Sequence, residues 1–340
     1  MTQVLENRRI VLASRPQGQA SAANFELQSV PVPDLADGQV LVRNHWLSLD
    51  PYMRMRMEDA KSYAAPQALG APMIGGTAGA VVASRHAGFA EGDAVVGMGG
   101  WQEHTVFDAT QPGTLRKVDA TRVPLSAYLG AVGMPGVTAW VGLHLICEPK
   151  AGETLLVNAA SGAVGSVVGQ LAKARGCRVV GVAGGPDKCA FVVDELGFDA
   201  CIDHRGKDFS TLAAELDAAA PGGVDCLFEN VGGLLLDVAM SRMNAFGRIA
   251  LCGMISGYES AASPLAAPRL ILTQRLRLQG FIVSEHMGLW PQALKELATG
   301  VAEGRIRYRE SIAVGLESAP GAFFGMLRGA NFGKQLVKLV

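Results

Sequence analysis

The chain reads as an α/β protein of two lobes, one an all-β lobe with barrel-like closure and the other a doubly wound parallel sheet. Three observations carry that reading. The length of 340 residues suits two domains that each bury a core. Short β-like runs fill the first third, and from about residue 130 apolar strands alternate with helical segments.

In the first region, "RRIVLAS", "FELQSVPVP", "GQVLVRNHWLSLDP", "GGTAGAVVAS" and "DAVVGMGGWQEHTVF" are strand-like, and Pro and Gly punctuate them about every ten residues. The uncharged stretch Val123 to Cys147 is broken by Pro124, Pro135 and four glycines, which argues against a membrane span. "ETLLVNAA", "CRVVGVAG", "DACID", "VDCLFENVG" and "GRIALCG" then follow as buried strands. "AVGSVVGQLAKARG" and "DKCAFVVDELG" between them have helical spacing, the pattern of a sheet with helices on both faces. The last forty residues turn back to strand, helix and strand and are expected to rejoin the first lobe. The boundaries follow as 1–127 with 303–340, and 128–302.

Composition narrows the function. Charged residues make up 18%, with 30 basic against 31 acidic side chains, so no net field gathers nucleic acid or an anionic membrane. A small-molecule substrate is expected. The six cysteines form no C-x-x-C pair and read as core thiols of a reducing compartment. The N-terminus lacks the pattern of a secretory signal, and a cytoplasmic location is expected.

Between "ETLLVNAA" and its helix lies Ala160-Ser161-Gly162-Ala163-Val164-Gly165, the dinucleotide-binding pattern with Ala for the first Gly. Gly162 would let the backbone approach a pyrophosphate, Gly165 would let the helix pack on the strand, and the helix N-terminus faces the anion. Strand before and helix after give the motif the context it requires, that of a Rossmann lobe. The competing reading is a glycine-rich turn in an ordinary α/β core. The second strand closes on Gly184-Gly185, with Lys188 just beyond, where an NAD site would carry a carboxylate. Small residues plus a cation favour NADP(H); alternatively, Lys188 is an ordinary solvated lysine on the next helix.

Metal chemistry has no support in the pattern. No Cys precedes residue 147, and His45, His86 and His104 lack ligand-like spacing. No G-x-S-x-G, H-E-x-x-H or P-loop motif occurs. Hydride transfer without a Lewis acid remains, which suits a carbon–carbon double bond conjugated to a carbonyl.

Six blocks carry a resemblance across almost the whole chain: "LSLDPYMRMRM" (47–57), "GMPGVTAW" (133–140), "AASGAVGSVVGQLAK" (159–173), "ENVGG" (229–233), "GRIALCGMISGYES" (247–260) and "GANFGKQLVKL" (329–339). In their order and spacing the chain resembles the zinc-independent medium-chain dehydrogenase/reductases, near the prostaglandin, plant double-bond and curcumin-type reductases. The resemblance implies a GroES-like β-barrel lobe beside the Rossmann lobe, a homodimer, and NADPH-dependent reduction of α,β-unsaturated aldehydes and ketones.

Carried onto this sequence, the resemblance implies Met134 and Thr138 at the nicotinamide carboxamide and Gly162, Ala163 and Val164 at the pyrophosphate, with Ser161 a further cofactor contact. Gly184 and Gly185 would lie under the adenine ribose, Lys188 at its phosphate and Asn230 at a ribose. Cys252, Ser256, Phe281, Val283 and Asn331 complete the cofactor contacts. His204 stands where relatives tend to have Tyr, followed by Arg205. Arg205 would supply charge to the 2′-phosphate, and His204 would make the NADP preference pH-dependent.

Tyr258 matches the family's substrate-side tyrosine. A phenol of ordinary pKa about 10 can donate to an enolate oxygen or protonate the α-carbon; the bland role is an aromatic covering the cofactor edge. Tyr52 is a second candidate at the carbonyl, with core packing beside Met53 and Met55 as the alternative. Methionines 53, 55 and 57 suit either an adaptable pocket or a core. "QRLRLQGFIVSEH" (274–286) reads as an edge strand able to pair across the dimer. A quinone reductase, or a non-catalytic NADPH-binding sensor or RNA-binding crystallin-like protein, are the other functions such a chain could serve.

Overall fold

The computed structural model describes residues 5–259 and 264–340, and the chain divides into two units, Met1–Gly130 with Glu310–Val340, and Ala131–Arg309. The first unit is built on alternation. β1 (Glu6–Leu12) and β2 (Phe25–Pro31) form an antiparallel pair. β3 (Gln39–Ser48), β4 (Thr77–Ser84), β5 (Ala94–Gly97), β6 (His104–Asp108) and β7 (Leu115–Lys117) then belong to one seven-stranded sheet. Ten residues long, β3 serves three partners: Gln39–Arg43 face β6, the wider span Val40–Leu47 pairs with β4, and its C-terminal end meets a late strand.

After β3 a single turn of helix, Tyr52–Arg56, seats Met53 in the core, and Met57 at its C-cap follows, both without solvent exposure, whereas Met55 points outward. They pack with Leu47, Leu49, Trp101 and Phe323. The methionines 53 and 57 therefore fill the core; their flexible thioethers close its irregular gaps.

The second unit opens with a helix, Met134–Gly142, whose Pro135 sits in the first turn, where a missing N–H costs nothing. Six strands follow: β8 (Thr154–Asn158), β9 (Arg178–Ala183), β10 (Ala200–Asp203), β11 (Val224–Glu229), β12 (Met243–Leu251) and β13 (Arg277–Gly280). They form an all-parallel sheet in the order β10-β9-β8-β11-β12-β13. Counted from β8 this is the doubly wound order 3-2-1-4-5-6, which reverses between β8 and β11 and opens a crevice at their carboxyl ends. Helices Gly165–Lys173, Phe209–Ala219, Gly233–Ser241 and Trp290–Ala302 follow strands in the chain. Both central strands are buried along nearly every residue, the expected state of a sheet covered on two faces. β13 is an outer strand, paired with β12.

The chain then re-enters the first unit. β14 (Glu310–Val314) pairs parallel with β15 (Lys334–Lys338), across the helix Ala319–Leu327, and β15 lies antiparallel on β3. Two of the six sequence blocks, 47–57 and 329–339, meet there. Lys334 Nζ lies 2.6 Å from Asp50 Oδ1 and donates to Leu49 O at 2.7 Å, and Ser48 Oγ bonds Asp50 Oδ2. All six cysteines are free thiols, and among the described residues no helix is long and apolar enough to cross a membrane.

Candidate active site

At the carboxyl end of β8 the backbone turns through Ala159, at φ 52°, into the glycine motif. A Cβ on Gly165 would lie 2.4 Å from Ala159 O and 3.0 Å from Ala160 Cα, so only glycine lets the helix start this close to the strand. Gly162 donates to Ala159 O at 2.9 Å and accepts from Ser166 N at 3.1 Å. Ser161 is buried, and Gly162, Ala163 and Val164 are partly exposed at the helix entry. The first turn of the helix leaves N–H groups without intrahelical partners, and its dipole favours an anion.

β9 ends beside this loop, and Gly185, at φ 102°, turns the chain into the short helix Pro186–Ala190 that carries Lys188. The two side chains after β10 lie over the glycines. A Cβ on Gly184 would be 3.2 Å from His204 Nε2 and 3.3 Å from Arg205 Nε, and one on Gly185 would be 2.9 Å from Arg205 Nη1. Glycines 184 and 185 are the floor on which Arg205 rests. Three basic groups gather there. Desolvation lowers the Lys188 pKa and Arg205 adds to it. His204 is lowered by desolvation, opposed by Asp203, and lowered further by Arg205 and Lys188.

On the other side of the order reversal, β11 ends at Glu229, a carboxyl with no solvent exposure. Its Oε1 accepts from Val231 N at 2.6 Å and Gly232 N at 2.9 Å, and its Oε2 from Asn158 Nδ2 at 2.6 Å. Burial raises its pKa against these hydrogen bonds. Asn230 Nδ2 donates to Asn158 O at 2.8 Å. The ends of β8 and β11 are thereby locked together, with Asn230 held in the crevice.

The same network carries Tyr258. Cys252 N and Gly253 N donate to Glu229 O at 2.9 and 3.1 Å, Ser256 N and Oγ to Val231 O at 3.0 and 2.6 Å, and Ile255 N to Asn230 O at 3.3 Å. The turn Ile255–Gly257 so fixed ends on Tyr258, whose hydroxyl would be 3.5 Å from a Cβ on Gly253. Burial, with Glu229 nearby, pushes the Cys252 thiol up to about 12, so it stays protonated. Ser260, the last residue of its sequence block, lies outside the described residues.

Thr138 Oγ1 donates to Met134 O at 2.7 Å, which orients the threonine along its helix. Phe281 is buried against Phe228, ring centroids 6.2 Å apart at 83°, and Val283 O accepts from Trp290 Nε1 at 3.1 Å. Two candidates belong to the first unit. Asn331 Nδ2 donates to Gly333 O at 2.7 Å. Tyr52 is half-buried against the methionine core, and burial with Asp50 beside it raises its phenol pKa.

Two family models match. The N-terminal domain of oxidoreductase covers residues 8–115, and zinc-binding dehydrogenase covers residues 163–299. The NADPH-dependent curcumin reductase of Escherichia coli is 45% identical over 98% of this chain and 97% of its own length. Prostaglandin reductase 1 of Rattus norvegicus is 44% identical over 95% and 96%. The chain belongs to the medium-chain dehydrogenase/reductases, in the branch of the curcumin, prostaglandin and alkenal reductases. The crystal structure of CurA from Vibrio vulnificus in complex with NADPH superposes with a TM-score of 0.91 at 45% identity, covering 98% of this chain and 99% of that one. Despite the zinc-binding name of the second family model, no group of three or more His, Cys, Asp or Glu that could hold a metal occurs among the described residues of this reductase.

Three side chains that organise the site were not singled out from the sequence: Glu229, Asn158 and Asp203; nor was Lys334, buried against Asp50 in the first unit. Glu229 left the clearest signal, an acid closing the apolar strand "VDCLFE" in front of two glycines.

Proposed function

We propose that this protein reduces the carbon–carbon double bond of α,β-unsaturated aldehydes and ketones with NADPH, the hydride going to the β-carbon. The observation that carries the cofactor half is the cluster of Lys188, His204 and Arg205 over Gly184 and Gly185, which fits a 2′-phosphate at a strand end where the chain carries glycines rather than an acidic residue. The glycine motif fits a pyrophosphate for the same reason of close approach. The chemistry NADPH supplies when bound is a hydride.

The chain's own residues do the rest. Helix Gly165–Lys173 offers its first N–H groups to the pyrophosphate, Asn230 holds a ribose hydroxyl, and Met134 and Thr138 line the carboxamide end. Tyr258 donates a hydrogen bond to the carbonyl oxygen where enolate charge develops, or gives its proton to the α-carbon. From the family resemblance, Tyr52 of the first unit, its phenol kept protonated by burial and by Asp50, is proposed as a second hydrogen-bond donor to a substrate carbonyl.

The deciding experiment is NADPH oxidation with trans-2-nonenal, a cyclic enone and a quinone, with NADH as control cofactor. Turnover of the enal with NADPH and a loss of about 10²-fold in kcat on Tyr258→Phe are expected. Quinone turnover alone, or tight NADPH binding with no turnover, would sink the assignment. Protonation of His204 adds positive charge beside Asp203, Arg205 and Lys188, so the preference for NADPH over NADH should strengthen as pH falls through its lowered pKa.

A second copy of the chain is the proposed partner, paired through β13. That strand is an edge whose residues are mostly exposed, and an edge of this kind is a template for sheet continuation. Gel filtration at the dimer position is expected, and elution as a monomer at micromolar concentration would reject it.

A further inference from the structure

Asp203 closes β10 directly ahead of the two side chains that cover the glycine floor. Its Oδ1 accepts two backbone hydrogen bonds at once, from Gly185 N at 2.7 Å and from Arg205 N at 3.1 Å. His204 N donates to Ala183 O at 3.1 Å, so β9 and β10 are stitched together beyond their last ladder pair, Asp203 with Ala183. The carboxyl lies below its usual range because these N–H bonds, with Lys207 and His204 nearby, outweigh its desolvation.

An acid beside a site for a phosphate is at first sight misplaced, because its charge opposes the ligand's. Its geometry resolves this. One oxygen atom fixes both the glycine that forms the floor and the residue whose guanidinium lies on it, and no neutral side chain of the same length except asparagine offers an acceptor in that position.

We propose that Asp203 is a specificity-determining residue, a positioning group that holds Gly185 and Arg205 in the geometry that selects a 2′-phosphorylated adenosine. This rests on the reading of Lys188, His204 and Arg205 as the phosphate site. Two consequences of opposite sign follow. Asp203→Ala removes the acceptor, frees the Arg205 backbone and weakens phosphate recognition. Asp203→Asn keeps the acceptor, removes the opposing negative charge and leaves recognition as strong as in the parent or stronger.

The test is calorimetric titration of the whole protein with 2′,5′-ADP and with 5′-AMP, which share adenosine and differ in the 2′-phosphate. For Asp203→Ala the affinity for 2′,5′-ADP should fall about tenfold while that for 5′-AMP changes little. For Asp203→Asn the ratio of the two affinities should equal or exceed that of the parent. Equal losses for both ligands, or an asparagine variant as weak as the alanine one, would overturn the proposal. Arg205→Ala separates the two levels of argument. If it leaves the affinity ratio untouched, the phosphate-site reading itself fails; if it lowers the ratio while Asp203→Ala does not, only the role of Asp203 fails.

Discussion

Replacing either Asp50 or Lys334 by alanine is expected to lower the stability of the first unit by about 3–5 kcal/mol. The pair is 2.6 Å apart with side chains only 7% and 4% exposed, so neither charge left alone can be hydrated. Removing Lys334 would strand a carboxylate whose other oxygen is held by Ser48. It would also leave Glu310, already raised by burial, without the nearby cation that partly offsets that effect. Removing Asp50 would strand an ammonium whose other partner is the carbonyl of Leu49. The bond also joins segments 284 residues apart and closes β15 onto the end of β3. Because two desolvated charges are costly even when paired, the double replacement Asp50→Leu with Lys334→Met should recover much of the loss. Thermal unfolding of the three variants decides the matter. Single variants that melt within a degree or two of the parent would show that the pair contributes little.

The physical basis of what was legible in the sequence is locality. Parallel strands covered on both faces are continuous apolar runs, so β8 through β12 stand out one by one, and the glycine motif is contiguous between a strand and its helix. Chain order then allows few sheet orders, and the observed one is among them. The first unit is less legible because β3 divides its length among β15, β4 and β6, and such pairings depend on residues far away in the chain. The methionines 53, 55 and 57 alternate in sequence like a strand face, yet they sit on a helical turn that buries two and exposes the third. The site shows the same contrast. Gly184, Gly185 and Lys188 are readable because absence of a side chain and presence of a charge are intrinsic. The roles of Asp203 and Glu229 come from which backbone amides the fold turns toward them, and nothing in "DACID" or "FENVGG" states that.

Glu229 carries the other large expectation. Alanine at this position would leave Val231 N, Gly232 N and the Asn158 amide without acceptors inside the protein. At about 1–3 kcal/mol for each orphaned buried group, the loss should be on the order of 4 kcal/mol. The segment carrying Asn230 and Tyr258 would loosen with it, so the KM for NADPH should rise together with a fall in kcat. Glutamine should behave differently. Its Oε1 can still accept from Val231 and Gly232, and its amide nitrogen then faces Asn158, whose Oδ1 is buried without a hydrogen-bond partner. Turning the Asn158 amide end for end converts a donor–donor clash into a hydrogen bond. The comparison also carries a pH signature. Because burial raises the folded pKa of Glu229, its contribution to stability is fully present below the unfolded value of about 4.3 and is lost as pH rises through the folded pKa. Glutamine does not titrate. The melting temperature of the parent minus that of Glu229→Gln should therefore decline as pH rises above about 4.3, and a difference that stays flat there would mean that the carboxyl is ionised in the folded protein as it is in the unfolded chain.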